Sequence, residues 1–178
     1  MLMHNGRLAN PLDAHTREMK TLTGKRAKTD EDLIKLMQVE ARGGCWETDD
    51  GYVGIPNAAL WRSVYDAAKA FKRGEDIKRA LSFEDVTQPI TIRGKQWLAQ
   101  DWCTTMDRID YRPVKVMARK VMRARPKFPA GWQSEHTFEL ITGVIDLRDL
   151  HPILERAGSL VGIGDWRPIY GKFSVVLT

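Results

Sequence analysis

From Val114 to Arg125 the chain reads "VKVMARKVMRAR", and apolar and cationic residues take turns along it. Val114, Val116, Ala118, Met122 and Ala124, with Lys120 as the exception, fall on one face of an extended chain. Lys115, Met117, Arg119, Val121, Arg123 and Arg125 fall on the other. A helix would scatter the same residues around its axis, because its repeat is near 3.6 rather than 2. The spacing therefore predicts one long strand, bulged or bent, with an apolar inner face and a basic outer one, ended by Pro126 and Pro129. Such a strand needs a sheet with one covered and one open face, which antiparallel sheets provide. Around it, from Tyr111 to Gln133, there are seven Lys or Arg and no acid, against a net charge of +5 for all 178 residues. The rest of the chain is slightly acidic, so the charge is concentrated, and polyanions are the expected partners. The competing explanation is an edge strand that carries charge to resist aggregation.

The length suits one buried core, and a single domain over 1–178 is expected. Hydrophobic residues make up 43% and charged residues 29%, a globular balance. No apolar run approaches the ~18 residues a membrane span needs, and "MLMHNGRLANPLDAH" lacks the apolar stretch of a signal peptide, so a cytoplasmic protein without a membrane partner is expected. Cys45 and Cys103 stand alone, without a second pair or a histidine at metal-ligand spacing. Reduced, half-buried thiols and no metal or cofactor are the expectation.

Leu2 to Asn5 reads as a short first strand, and residues 16–29, including Lys25 and Arg26, as a mobile basic loop. Thr29 is an N-cap signal for a helix that Gly43-Gly44 ends. "CWETDDGYVGI" predicts a hairpin turning at Asp50-Gly51. A helix follows Pro56, with Leu60, Val64, Ala67, Ala68 and Phe71 as its apolar stripe and Gly74 as its close; Trp61 and Tyr65 beside the stripe read as core or interface. Residues 77–110 read as an irregular insertion containing one strand, "EDVTQPITI". "GWQSEHTFELI" is a second strand with Trp132, Ser134, His136, Phe138 and Leu140 on one side, Asp146 caps a helix containing Pro152, and "KFSVVLT" is the last strand.

Long strand, strand, helix, glycine loop and strand resemble the later elements of the ferredoxin-like βαββαβ arrangement: an α+β, RRM-like core, an antiparallel sheet with helices on one face, plus insertions. Its open face commonly takes single-stranded nucleic acid. The glycine loop "GSLVGIGDWRPIYGKF" has two readings. In one, Gly158 ends a helix as a left-handed residue and the other glycines make turns. In the other, Gly162 and Gly164 let backbone N–H groups cradle phosphates. Trp166 and Arg167 would stack on bases; alternatively Trp166 packs under the loop and Arg167 pairs with Asp165. His4, His15, His136 and His151 are the only titratable candidates for acid–base work near neutral pH; no partner nucleophile, carboxylate pair or metal cluster accompanies His15, and P-loop, dinucleotide and triad signatures are absent, so an enzyme is not expected.

"LVGIGDWRPIYGKF" resembles the C-terminal glycine-rich loop of the RAMP superfamily, the ferredoxin-like RNA-binding proteins of CRISPR effector complexes, with Gly162, Gly164, Arg167 and Gly171 at the matching positions. The chain is also similar to a family of tailed-phage and prophage proteins through "LMHNGRLANPLD", "GYVGIPNAALWRSVYDAAKAFKRG", "PVKVMARKVMRARPKF" and "GIGDWRPIYGKF". The resemblance implies a non-catalytic protein of the bacterial host's cytoplasm that holds single-stranded RNA, or single-stranded DNA, as one unit of a homo-oligomer or filament. Its nucleic-acid-binding residues would be Lys115, Arg119, Arg123, Arg125, Gly162, Gly164, Trp166 and Arg167, with Lys25 and Arg26. A phage protein so built would interfere with CRISPR immunity by occupying guide RNA or subunit interfaces. Two alternatives stand beside it: a single-stranded-DNA accessory of recombination or replication, and a metal-independent RNA endonuclease using His15, since processing nucleases of the superfamily cleave with a histidine. CRISPR backbone subunits are larger, with a thumb hairpin and helical insertions, and only reduced versions fit here.

Overall fold

A computed structural model describes residues 1–178. After a 3-10 turn at Gly6–Ala9, Asp13 accepts from the His15 and Thr16 amides and starts helix α1, Ala14–Thr23. Thr29 and Asp32 form a reciprocal capping box at the start of α2, Asp30–Gly43. The mobile loop expected over 16–29 is therefore helix over its first eight residues: α1 packs on α2 with Leu22 buried, and only Gly24–Thr29 connects them. Its polar composition hid the Asp13 cap and the single apolar stripe.

The Asp50-Gly51 turn is present, with Gly51 at φ +79° and the Thr48 amide donating to Tyr52 at 2.8 Å. Strand β1 (Gly54–Pro56) leads into α3 (Asn57–Ala68), which ends in a 3-10 turn and a left-handed Lys72. Gly74 opens α4 (Gly74–Ala80) rather than closing α3. Then come β2 (Leu81–Ser82), β3 (Thr87–Pro89), β4 (Thr91–Ile92), α5 (Ala99–Trp102), β5 (Ile109–Val116), β6 (Arg119–Pro126), β7 (Trp132–Gln133), β8 (Glu139–Leu140) and α6 (Leu147–Arg156), capped by Asp146 as expected.

The alternating stretch is a hairpin instead of one strand. β5 and β6 pair antiparallel from Ile109↔Pro126 to Val116↔Arg119, and the chain turns at Met117, φ +54°, and Ala118. A two-residue turn reverses the face assignment on its far side. Val114 and Val116 thus share a face with Arg119, Val121, Arg123 and Arg125, while Lys115 lies opposite Lys120 on the other. Met-Ala lacks the Asn-Gly or Asp-Gly signal that usually betrays such a turn.

The fold is α+β, and its four ladders, β1·β3, β2·β8, β4·β7 and β5·β6, are each two-stranded and antiparallel, without one continuous sheet. Beyond β6, Lys127 bridges Leu2, with the Met3 amide donating to Pro126 at 3.3 Å and the Phe128 amide to Met1 at 2.8 Å. This single bridge replaces the expected strand from Leu2 to Asn5. Residues 132–141 alternate as expected, Trp132, Ser134, His136, Phe138 and Leu140 being half-buried, yet they form ladders only at their two ends. "KFSVVLT" also alternates, with Phe173, Val175 and Leu177 inward, but pairs with no strand.

Two apolar clusters fill the interior, one around Met3, Ile55, Ile90, Trp102 and Phe128, the other under α3, α4 and α6 around Val64, Ile77, Leu150 and Ile153. Phe173 packs against both. Cys45 and Cys103 are fully buried in the first, deeper than expected. Between the clusters the chain makes close backbone crossings: a Cβ on Gly171 would run into the Ile163 carbonyl, and one on Gly158 into the Phe173 carbonyl. Gly158 lies in a π turn, Ala157–Val161, so close approach rather than a left-handed cap is its reason to be glycine.

These crossings predict that Gly171→Ala, which combines φ +81° with that collision, lowers the melting temperature by several degrees more than Gly131→Ala, where φ is +85° but the space is open. The second variant carries only the left-handed strain of about 1–2 kcal/mol. Thermal unfolding of both followed by circular dichroism checks the difference.

Candidate nucleic-acid interface

The seven cations between Tyr111 and Gln133 divide into two groups. Three find acids: Arg112 pairs with Asp110 two residues before it on β5, Arg123 Nη1 lies 3.1 Å from Glu40 Oε1 of α2, and Arg125 pairs with Asp165 of the glycine loop. Glu40 comes from α2 and its other oxygen accepts from the Ala124 amide at 3.1 Å, so it satisfies the edge of β6 as well. Arg125, Asp110 and Glu40 are 8%, 6% and 6% exposed, which makes these structural charges. Trp166 lies beneath two guanidinium groups, 4.9 Å from Arg112 and 5.6 Å from Arg125, and Arg112 donates to the Tyr170 hydroxyl at 2.9 Å. Cation–π contact and hydrogen bonding lock this ring of side chains together.

The second group has no acid. Lys115, Arg119 and Lys120 stand at the hairpin end, where every residue from Lys115 to Met122 is exposed and Met117 reaches 93%. A two-stranded ribbon uncovered on both faces cannot owe its cations to packing. Lys127, the last of the seven, is exposed beyond the other end of β6.

In the glycine loop, Gly162 and Gly164 have φ +77° and +87°. The Gly162 carbonyl accepts from Ser63 Oγ at 2.8 Å, and a Cβ on Gly164 would strike the Leu2 carbonyl. Backbone packing thus explains both glycines. The amides of Gly164, Trp166 and Arg167 make no hydrogen bond within the protein. Arg167 is not paired with Asp165: its Nη2 lies 4.0 Å from Asp66 and its Nη1 3.4 Å from the Gly162 carbonyl, because Arg125 has taken Asp165. Trp166, at φ +59°, has its ring covered by the two arginines.

Lys25 is fixed 2.5 Å from Asp32, whose carboxyl it holds below the usual range, and Arg26 is exposed beside it. His15 sits in the first turn of α1, half-buried and 3.4 Å from Asp13, instead of in a mobile loop. The structure therefore brings Arg125 and Trp166 together, leaves Lys115 and Arg119 at the hairpin end, and puts Lys25 and Arg26 on the α1–α2 connection. Arg112, Asp110 and Tyr170 were missed in the sequence; Arg112 lay in the basic run, but only the fold shows that it faces the glycine loop. No protein-family model, curated protein or solved structure matches the chain.

Arg125→Met would leave half-buried Asp165 without its cation and should destabilise the protein by about 1–3 kcal/mol. Arg119→Ala should stay within about 0.5 kcal/mol, as for other exposed positions, and urea unfolding of each distinguishes the two groups. Desolvation holds His4 and His136 below their ordinary value of 6.5. His136 Nδ1 lies 2.6 Å from Asn57 Oδ1. The unfolded chain thus takes up these protons first, so the stabilisation is full above pH about 6.5 and declines as the pH falls through it. His4→Gln with His136→Gln should flatten that decline in unfolding experiments run from neutral to mildly acid pH.

Proposed function

We propose that this protein binds single-stranded nucleic acid without acting on it chemically, RNA in preference to DNA, through the end of the β5–β6 hairpin. The observation that carries the reading is the set of Lys115, Arg119 and Lys120, unpaired and exposed on a ribbon open on both faces. Cations so placed hold phosphates with little regard to sequence and with strong salt dependence. Exposed Tyr111, Met117 and Met122 beside them offer apolar surface for bases or for a second copy, which suits side-by-side assembly along a strand.

A ferredoxin-like, RAMP-related core is the finer part of the proposal. It draws support from the neighbour order β5, β6, Met1–Met3 and Asp165, since Leu2 receives the Asp165 amide at 2.8 Å on the side away from β6. Such a core sets its second, third and first strands in that order, and here a residue of the glycine loop takes the place beside the first where the last strand would lie. The preference for RNA rests on the likeness of the glycine loop. A phage protein of this kind would act in the host cytoplasm and compete for the guide RNA or subunit contacts of CRISPR complexes.

Replacing Lys115, Arg119 and Lys120 together by Ala should weaken binding to all single strands alike and reduce the log–log salt slope by about 0.7 for each lost phosphate contact, with the melting temperature unchanged. Fluorescence anisotropy across a salt series measures both. Unchanged affinity and slope would contradict the assignment.

A further inference from the structure

Below the hairpin, at the end opposite its turn, a cavity of about 650 Å³ opens between Trp97, Trp102, Phe128 and Tyr170. Its aromatic wall is ordered. Trp102 stacks on Phe128 with centroids 5.1 Å apart, Trp97 meets Trp102 edge-on at 5.6 Å, and the Trp102 indole N–H donates to the Lys127 carbonyl at 3.2 Å. Four cations stand at the rim: Arg93, Lys95, Arg108 and Lys127. None of the four is in an ion pair, and Asp107 is the single acid lining the cavity.

Two of these cations are presented by a turn under constraint. Ile92 and Lys95 exchange backbone hydrogen bonds of 2.8 and 3.2 Å around Arg93 and Gly94, whose φ values are +53° and +74°. Positive φ at both central residues is the two-residue hairpin turn that glycine and asparagine favour, and an arginine held there is uncommon. Lys95 Nζ lies 4.2 Å from the Trp97 ring centroid, and the Arg108 guanidinium lies 4.4 Å from Trp97 and 4.5 Å from Trp102. An aromatic wall with an arginine plane over it, inside a ring of unpaired cations, combines a surface for a flat π system with charges for an anion attached to it.

Resting on the single-strand reading above, the geometry points to this cleft as a nucleotide-binding site: it takes one nucleotide of the bound strand, the base against Trp97 and the Arg108 guanidinium, its phosphates held by Arg93, Lys95 and Lys127. The Lys95 ammonium, now over Trp97, swings to the phosphate as the base enters. The volume is within the range of small-ligand pockets. Because β5 is eight residues long, cleft and hairpin turn lie roughly 25 Å apart, and one extended strand reaches both.

The test is photocrosslinking of a single-stranded RNA carrying 5-iodouracil, about ten nucleotides long to match the footprint of single-strand binders. Adducts are mapped on tryptic peptides of the wild-type protein and their yield compared with R93A/K95A, which alters two exposed side chains. Adducts on the peptide Gln96–Arg108, with a yield and affinity reduced about tenfold in the variant, are expected. Adducts confined to hairpin or glycine-loop peptides, with R93A/K95A binding like wild type, would overturn the cleft and leave the strand-binding reading standing. Neither adducts nor an anisotropy change with RNA or DNA would overturn both.

Discussion

Leu2 and Gly164 pass so closely that a side chain at 164 would collide with the Leu2 carbonyl, and much of the proposed binding surface depends on that crossing. The same carbonyl accepts the Asp165 amide at 2.8 Å, which sets Asp165 in place to pair with Arg125. Arg125 and Arg112 then cover Trp166, and Arg112 reaches Tyr170. On its other side the Met1–Met3 segment extends the antiparallel pairing of β6 at Lys127. The glycine loop is therefore first a means of bringing backbones together. Its charged and aromatic residues anchor the base of the hairpin, leaving the far end free to carry unpaired charge.

That division changes the meaning of the basic run. A buried guanidinium is tolerated where an acid and further hydrogen bonds replace its water, and removing it leaves the acid stranded. Arg112, Arg123 and Arg125 each meet an acid and belong to the architecture, although the Nη1 of Arg125 is buried without a partner. Lys115, Arg119, Lys120 and Lys127 are exposed with no acid beside them, and on the proposed reading they meet phosphate oxygens, where release of counterions would drive association.

Local signals in the sequence were reliable where the physics is local. The Thr29 capping box, the Asp50-Gly51 turn, the Pro56 entry to α3 and the Asp146 cap all lie where their residues indicated. The two-residue alternation over 132–141 gives the right inward face even where no ladder forms, because burial depends on the extended backbone alone. The Met117-Ala118 turn was illegible, since nothing in those two residues favours positive φ, and missing it moved Lys115 to the wrong face. The balance of charge was illegible for a different reason. Glu40 is 83 residues from Arg123, and Asp165 is 40 from Arg125, so counting acids in a window could not find them. The cleft at Trp97 was equally hidden, assembled from a turn, a short helix and the two ends of the hairpin.

The central claim, that this fold presents free cations to a single polynucleotide strand, is tested most directly by equilibrium binding of the intact protein to labelled single-stranded RNA, single-stranded DNA and duplex DNA at low and physiological salt. The account predicts tight, salt-sensitive binding to single strands, RNA the strongest, with more protein bound as the strand lengthens. Absence of binding to every strand, or equal affinity for duplex DNA, would contradict it.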